Sequence, residues 1–270
     1  MDIRGKKVLV FGSGISGEGS CRLLLEKGAD VVLYDGNEKL CADEIEAKIL
    51  ETKKENGQFS IVLGTFPEEI IEELSFVVMS PGVPTDLPIV EKMREKSIPI
   101  WGEIELAYVF GKGDVLAITG TNGKTTTTAL LGQIMQDYKE HAYIVGNIGT
   151  PYTSVAQETT DDAVIVAEIS SFQLETIHTF HPKVSAILNI TPDHLDRYNY
   201  EMQNYVDAKF RIIQNQTEKD AFIFWNDDPI IAREIKKHHP KATLYPFAET
   251  HEEGTKGYVE NNQVIVETEN

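Results

Sequence analysis

Short apolar, β-branched runs alternate along most of this chain with longer segments that have the composition of helices. The first two runs, residues 6–11 and 30–34, flank a helix-like segment at 15–27 that ends before Gly28. Strands of a parallel sheet are buried on both faces and therefore form such runs, while the helices between them cover the sheet. The alternation predicts an α/β fold with mostly parallel sheets.

The predicted strands form two series, separated by a predicted helix, Glu103–Phe110, and a glycine-containing hinge at 111–113. We place the domain boundary near Trp101 and Gly102. At the end of the chain, Asn261-Asn262 is typical of the tight turn of an antiparallel hairpin formed by residues 257–260 and 263–267. The predicted strands before this hairpin are 6–11, 30–34, 60–63, 76–79 and 98–100, then 115–119, 141–145, 163–169, 184–189, 221–224 and 242–245.

Composition excludes several classes of protein. The 270 residues suffice for one large or two ordinary domains, and 25 Lys and Arg against 43 Asp and Glu leave a net charge of −18. Such a surface does not attract nucleic acid or an anionic membrane. No apolar stretch reaches the ~20 residues of a membrane helix, and the N-terminus has no signal-peptide pattern. Cys21 and Cys41 are too few for a disulfide framework or a zinc site, and they fit a reducing cytosol, so we expect a cytoplasmic protein. We also expect a monomer.

A first glycine motif, Gly-Ser-Gly-Ile-Ser-Gly at residues 12–17, lies between the first strand and the first helix. Asp35 ends the second strand, and Ser80-Pro81-Gly82 follows the fourth. This is the fingerprint of dinucleotide binding, in which the helix N-terminus faces a pyrophosphate and the acid accepts from a hydroxyl. NAD and a UDP-sugar both satisfy these requirements. A turn that binds no ligand is the third alternative.

A second glycine motif lies between the strand at 115–119 and a predicted helix at 127–135. In such loops the backbone N–H groups surround a triphosphate, the lysine adds positive charge, and the next hydroxyl can hold Mg²⁺. The motif predicts an ATP site, although a glycine turn with a solvated lysine is the alternative. It is shorter than the usual G-x-x-x-x-G-K-[ST] loop, because only two residues separate the first glycine from Gly-Lys. Its residues are Gly120, Thr121, Asn122, Gly123, Lys124, Thr125 and Thr126.

The shortened loop and the motifs on either side of it resemble the Mur ligase family. The run Ser-Ser-Phe-Gln-Leu at 170–174 is similar to that of the D-glutamate-adding branch of this family rather than to its siblings. Agreement of several motifs in one order makes the resemblance specific. The matching segments are 12–17, 80–82, 102–106, 120–126, 146–149, 168–175, 189–197 and 208–211.

The resemblance implies an ATP-dependent carboxylate–amine ligase that forms ADP and adds D-glutamate to UDP-N-acetylmuramoyl-L-alanine through an acyl phosphate, in peptidoglycan precursor synthesis. Residues 1–102 would form a UDP-binding, Rossmann-like domain, and residues 103–270 a P-loop-type central ATP-binding domain. The alternatives are a sibling ligase for another amino acid, an NAD-dependent oxidoreductase that uses the first glycine motif, and a non-catalytic nucleotide-binding fragment.

The resemblance also assigns residues. Lys124, Glu168, His194 and Lys209 would be catalytic, with Mg²⁺ held by Thr125, Glu168, His194 and a carbamylated Lys209. Glu168 lies at the end of a predicted strand and His194 follows the end of another, which are suitable positions for Mg²⁺ ligands; the alternatives are an acid at a helix N-terminus for Glu168 and a polar loop residue for His194. From the pattern alone, Lys209 is a solvated lysine on a helix at 200–214. The UDP-substrate would contact Ile15, Ser16, Asp35, Gly36, Ser80 and Gly82, together with Asn147, Ser170 and Gln173.

The chain departs from the family pattern after the hairpin. Family members carry a third, C-terminal domain that binds D-glutamate, and a helix motif with Asn and His late in the central domain; neither pattern occurs in these 270 residues. We therefore expect a fragment that binds the UDP-sugar, binds ATP weakly if at all, and does not ligate D-glutamate efficiently by itself.

Overall fold

A computed structural model describes residues 1–51 and 57–267. The chain divides into two compact units. Unit 1 comprises Met1–Lys112, Gly149–Thr160 and Glu175–Phe180, and unit 2 comprises Gly113–Ile148, Asp161–Leu174 and His181–Asn270. The division of the sequence at residue 102 stays a prediction, since unit 1 also contains two segments from much later in the chain.

Unit 1 is built on a five-stranded parallel sheet of order β3-β2-β1-β4-β5. The order changes direction between β1 and β4, and open parallel sheets bind ligands at the carboxyl edge beside such a switch point. Strands β1 and β4 are almost wholly buried, as their apolar runs predict. The elements are β1 (Lys7–Phe11), α1 (Ile15–Glu26), β2 (Asp30–Asp35), α2 (Ala42–Leu50), β3 (Phe59–Leu63), β4 (Phe76–Met79), α3 (Pro88–Glu95), β5 (Ile100–Gly102) and α4 (Glu103–Phe110).

Unit 2 contains an eight-stranded sheet of order β13-β12-β11-β10-β9-β6-β8-β7, in which neighbouring strands are parallel except for β12 and β13. That pair is the predicted hairpin, and its turn residues Asn261 and Asn262 both have positive φ, as a type I′ turn requires. The elements are β6 (Asp114–Thr119), α5 (Lys124–Tyr138), β7 (Ala142–Gly146), β8 (Val164–Glu168), α6 (Ser171–Leu174), β9 (Val184–Ile187), α7 (Met202–Phe210), β10 (Ala221–Trp225), α8 (Pro229–His238), β11 (Thr243–Phe247), β12 (Gly257–Glu260) and β13 (Gln263–Val266).

The α/β class and the mostly parallel sheets are confirmed, whereas several element boundaries differ from those predicted, among them three at the start of an element. Strand β5 begins two residues later than 98, after Ser97 with φ of 57°. Helix α5 begins at Lys124 rather than 127, directly after the glycine loop. Helix α7 begins two residues later than 200, because Asn199 and Tyr200 have φ of 54° and 58°, which a helix does not accommodate. It ends at Phe210, where a 3₁₀ helix, Arg211–Ile213, follows. No helix within the described ranges is both long and apolar enough to cross a bilayer.

Two buried carboxylates of α4 attach the later segments of unit 1. Glu105 accepts hydrogen bonds from the backbone N–H groups of His178, Thr179 and Phe180 and from the Thr179 hydroxyl, at 2.6–2.9 Å. Glu103 Oε1 accepts from the N–H and the hydroxyl of Thr153, at 2.6 and 2.9 Å. These hydrogen bonds attach residues 149–160 and 175–180 to the rest of unit 1. No local sequence pattern indicates them.

Glu103→Gln is expected to raise the free energy of unfolding by about 3 kcal/mol at pH 8 and to leave it nearly unchanged at pH 4. Burial raises the pKa of Glu103 to about 7, against an ordinary value of 4.5. Between these values the folded state retains a proton that the unfolded state has lost, so this contribution to stability is present below pH 4.5 and is lost as the pH rises to 7. Urea unfolding at several pH values measures it, with the exposed Glu91→Gln as the control. An equal difference at both pH values would contradict the raised pKa.

Candidate active site

At two positions in the glycine loop after β6, the backbone has a conformation that only glycine adopts easily. Gly120 has φ of 150° and Gly123 has φ of 83°. A Cβ at Gly120 would lie 3.1 Å from Leu188 Cβ, so the loop is closely packed against the residues that follow β9. Helix α5 starts directly after Gly123, and no described side chain caps its N-terminus. Its first N–H groups and its dipole therefore favour an anion at this end.

Two lysines meet at the carbonyl of Gly120. Lys124 Nζ donates to the carbonyls of Gly120 and Thr121 at 2.9 and 2.7 Å, and Lys209 Nζ donates to Gly120 at 2.8 Å. Lys209 is 1% exposed, so the alternative of a solvated surface lysine is wrong. Burial and, secondarily, the charge of Lys124 lower the pKa of Lys209 to about 7. An uncharged amine is therefore accessible near neutral pH.

Glu168, Thr125 and Asn147 come together beside this loop. Glu168 is the last residue of β8, which pairs with β6, and its side chain is fully buried. Its Oε2 accepts from the Thr125 hydroxyl at 2.9 Å, and its Oε1 accepts from Asn147 Nδ2 at 2.9 Å. Carboxylate, hydroxyl and amide oxygens are the ligand atoms that Mg²⁺ prefers, so the residues present fit this ion. The neighbouring strands explain why residues far apart in sequence meet here.

His194 is an exposed residue of the loop that follows β9. It has φ of 49°, its side chain is 58% exposed, and its ring lies 5.2 Å from that of Phe172. Its Nε2 lies 3.6 Å from a carboxylate oxygen of Asp193. Within the described residues, none of the contacts of His194 is to Thr125, Glu168 or Lys209. The polar-loop interpretation describes its present contacts, and its role as a metal ligand stays a prediction.

Ser170 and Gln173 bond to each other at the start of the short helix α6. Gln173 Oε1 accepts from the Ser170 N–H at 2.9 Å, and Ser170 Oγ accepts from the Gln173 N–H at 3.3 Å. This reciprocal arrangement is a capping box, which satisfies backbone N–H groups at a helix N-terminus. The motif that most specifically indicated the family therefore has a structural function of its own, and its predicted contact with substrate stays a prediction.

In unit 1, the loop after β1 lies against the loop after β4. A Cβ at Gly12 would lie 2.8 Å from Ser80 Cβ, and a Cβ at Gly17 would lie 1.9 Å from the Gly12 carbonyl oxygen. The first and last glycines of the motif are therefore required by packing, whereas nothing lies within 4 Å of a Cβ at Gly14. The Ser80 hydroxyl donates to the Gly12 carbonyl at 3.2 Å.

Asp35 at the end of β2 faces this loop. One of its carboxylate oxygens accepts from both the N–H and the hydroxyl of Ser13, at 3.0 and 2.7 Å, and the other accepts from the Asn37 N–H. Partial burial opposes ionisation, but these hydrogen bonds outweigh it and lower the pKa of Asp35. The other predicted UDP contacts in unit 1 follow the same strand ends: Ile15, Gly36 and Gly82 are exposed, and Ser16 is half-buried.

Each unit thus has a glycine loop at the carboxyl edge of its parallel sheet, which defines an α/β protein with a Rossmann-like unit and a P-loop-type unit. Residues 6–102 match the Mur ligase MurD-like N-terminal domain, and residues 118–269 match the Mur ligase middle domain. The chain belongs to the Mur ligase family.

The most similar relatives have one name. The UDP-N-acetylmuramoylalanine–D-glutamate ligase of Lachnospira eligens is 52% identical over 84% of this chain and 49% of its own length. The ligase of the same name from Lachnoclostridium phytofermentans is 48% identical over 98% of this chain and 57% of its own length. The chain thus spans about half the length of these relatives.

The fold also resembles that of a solved structure, the murein peptide ligase Mpl from Psychrobacter arcticus, with a TM-score of 0.58. The match covers 95% of this chain and 56% of that one. At 14% sequence identity, this likeness concerns the fold alone.

Proposed function

We propose that this chain is part of an ATP-dependent ligase that adds D-glutamate to UDP-N-acetylmuramoyl-L-alanine in peptidoglycan precursor synthesis. The observation that carries the proposal is the hydrogen-bonded group of Thr125, Glu168 and Asn147 beside a phosphate-type loop. The names of relatives 48–52% identical to this chain support the choice of substrates. A dehydrogenase that uses the first glycine loop would leave this group and both lysines at Gly120 without a function.

In this proposal the loop at 120–126 holds the phosphates of ATP, with Lys124 and the N-terminus of α5 as positive groups. Thr125, Glu168, His194 and a carbamylated Lys209 would hold Mg²⁺, which neutralises phosphate charge when bound. Carbamylation joins the neutral Lys209 amine to CO₂ and releases one proton, so a cation becomes a carboxylate. The lowered pKa of Lys209 supports this step.

The substrate carboxylate would attack the γ-phosphate of ATP, with ADP as the leaving group. The amine of D-glutamate would then attack the resulting acyl phosphate and displace inorganic phosphate. Because the reacting groups are anionic, the contribution of this chain is positioning and charge neutralisation. Ile15, Ser16, Asp35, Gly36, Ser80 and Gly82 would hold the UDP part, and Asn147, Ser170 and Gln173 would lie near the rest of the substrate.

The location follows from the substrates. ATP and UDP-sugars are available in the cytoplasm, and we propose that the enzyme acts there. We also propose that it is a monomer, with no nucleic-acid or membrane partner for this acidic chain. D-glutamate would be bound largely by the polypeptide that the relatives have beyond the span of this chain.

Titration of this chain by calorimetry with UDP-N-acetylmuramoyl-L-alanine and, separately, with NADH tests the proposal. We expect heat of binding for the UDP-sugar and none for NADH, because the relatives that are 48–52% identical to this chain are named for a UDP-sugar substrate. Binding of NADH alone would overturn the ligase assignment in favour of an oxidoreductase. UDP alone is the matched control, since it separates recognition of the nucleotide from that of the muramoyl group.

A further inference from the structure

The side chain of Asn189, two residues after β9, pairs with the main chain of the phosphate-type loop. Asn189 Oδ1 accepts from the Asn122 N–H at 2.8 Å, and Asn189 Nδ2 donates to the Asn122 carbonyl at 3.0 Å. The amide orientation is unambiguous, because a backbone N–H can only donate and a carbonyl can only accept. The Asn189 side chain therefore makes with Asn122 the same pair of hydrogen bonds that the backbone of a neighbouring strand would make.

This pairing continues the sheet into the loop. Strands β6 and β9 are neighbours, and beyond their ends the Leu188 N–H donates to Thr119 and the Thr121 N–H donates to the Asn189 carbonyl, at 3.0 and 2.9 Å. The Thr121 hydroxyl accepts from the Thr191 N–H at 3.0 Å and lies 3.1 Å from the Tyr205 hydroxyl. The N–H groups of Thr121 and Asn122 are thus occupied by protein, which leaves the start of α5 for an anion.

The segment that carries Asn189 is itself fixed by α8. Asp228 is 4% exposed, and one of its oxygens accepts from the Ile190 N–H at 2.8 Å. Its other oxygen accepts from the N–H groups of Ile230 and Ile231, which caps α8. Residues 188–191 are therefore held between the sheet and a capped helix, and they form a rigid support for the loop.

We propose that Asn189 is a positioning residue, which holds the shortened loop in the shape that binds a triphosphate without contacting the ligand itself. The inference rests on the proposed function for its ligand and on the hydrogen bonds above for its geometry. A loop with only two residues between Gly120 and Gly123 has few internal N–H groups to stabilise its own turn. The adjacent segment supplies the missing bonds.

Amide hydrogen exchange in the ¹⁵N-labelled chain tests the support directly. In Asn189→Ala we expect exchange at the Asn122 N–H to accelerate about tenfold, because it loses its acceptor. Exchange at Thr121, whose acceptor is a main-chain oxygen, should change much less. Asn189→Asp keeps an acceptor and should retain slow exchange at Asn122. The control is Asn226→Ala, which removes a half-buried amide that contacts Glu252.

Calorimetry with Mg-ATP measures the consequence, and we expect the Kd to rise about tenfold in Asn189→Ala and not in Asn226→Ala. Unchanged exchange at Asn122 would overturn the inference, and so would accelerated exchange with an unchanged Kd. If the wild-type chain bound no Mg-ATP, the proposed ATP site would fail for this chain alone, while exchange at Asn122 would still decide whether Asn189 supports the loop.

Discussion

Lys209→Met is expected to raise the free energy of unfolding by about 3 kcal/mol at pH 7, with the gain shrinking by about 1.4 kcal/mol per pH unit. The pKa of Lys209 is about 7 in the folded chain, against 10.5 ordinarily. Below pH 7 both states are protonated and the wild-type chain bears the full cost of a buried charge. Between pH 7 and 10.5 the unfolded state binds the extra proton, so wild-type stability rises with pH. Methionine fills similar space without this charge.

Urea unfolding of both chains from pH 7 to 9.5, in buffer depleted of CO₂, measures the effect. Lys183→Met is the matched control, because Lys183 is exposed and also donates to a backbone carbonyl. Added bicarbonate should stabilise the wild-type chain and not the variant, and ¹³C-bicarbonate should produce a carbamate signal that Lys209→Met lacks. A stability difference that is constant across the pH range would show that the pKa of Lys209 is not lowered.

Glu105→Ala is expected to destabilise unit 1 by about 4 kcal/mol. The carboxylate accepts from three consecutive backbone N–H groups and one hydroxyl, and the side chain is fully buried. Alanine would remove the acceptor of one buried and three part-buried donors and would open a cavity. Segment 175–180 should detach first, because these bonds attach it to α4.

Urea unfolding followed by circular dichroism measures this loss, and limited proteolysis reports on detachment of segment 175–180. Glu105→Gln, which keeps one acceptor oxygen, should be intermediate. Glu95→Ala on the exposed surface of α3 is the control and should change stability by less than about 0.5 kcal/mol. If Glu105→Ala were as stable as this control, the carboxylate would not anchor the segment.

Local patterns sufficed for the strands and for both glycine loops. Buried parallel strands need unbroken apolar runs, and a turn with positive φ needs glycine, so β1, β6 and their loops could be recognised from neighbouring residues alone. The same reasoning failed where one element met another. The threonine run after Lys124 has low helix propensity, yet α5 includes it, because the helix starts at the loop and packs on the sheet.

Other features of the site depend on residues distant in sequence. Lys209 has the pattern of a surface lysine, and only the approach of α7 to the glycine loop makes it a buried amine. Asn189 could be noticed as a polar residue after a predicted strand, but its bonds to Asn122 require β9 to lie beside β6. The order of strands in a sheet is set by crossover connections, which no short window of sequence contains.

The sequence by itself determined the α/β class, the two glycine loops and the resemblance to the Mur ligases, because each depends on residue types at short spacing. Only the tertiary structure decided which side chains share a site. It joined Glu168 to Thr125 and Asn147, and it placed Lys209 beside Lys124. The physical reason is that burial and charge proximity, which set pKa values and hydrogen bonds, are properties of neighbours in space rather than along the chain.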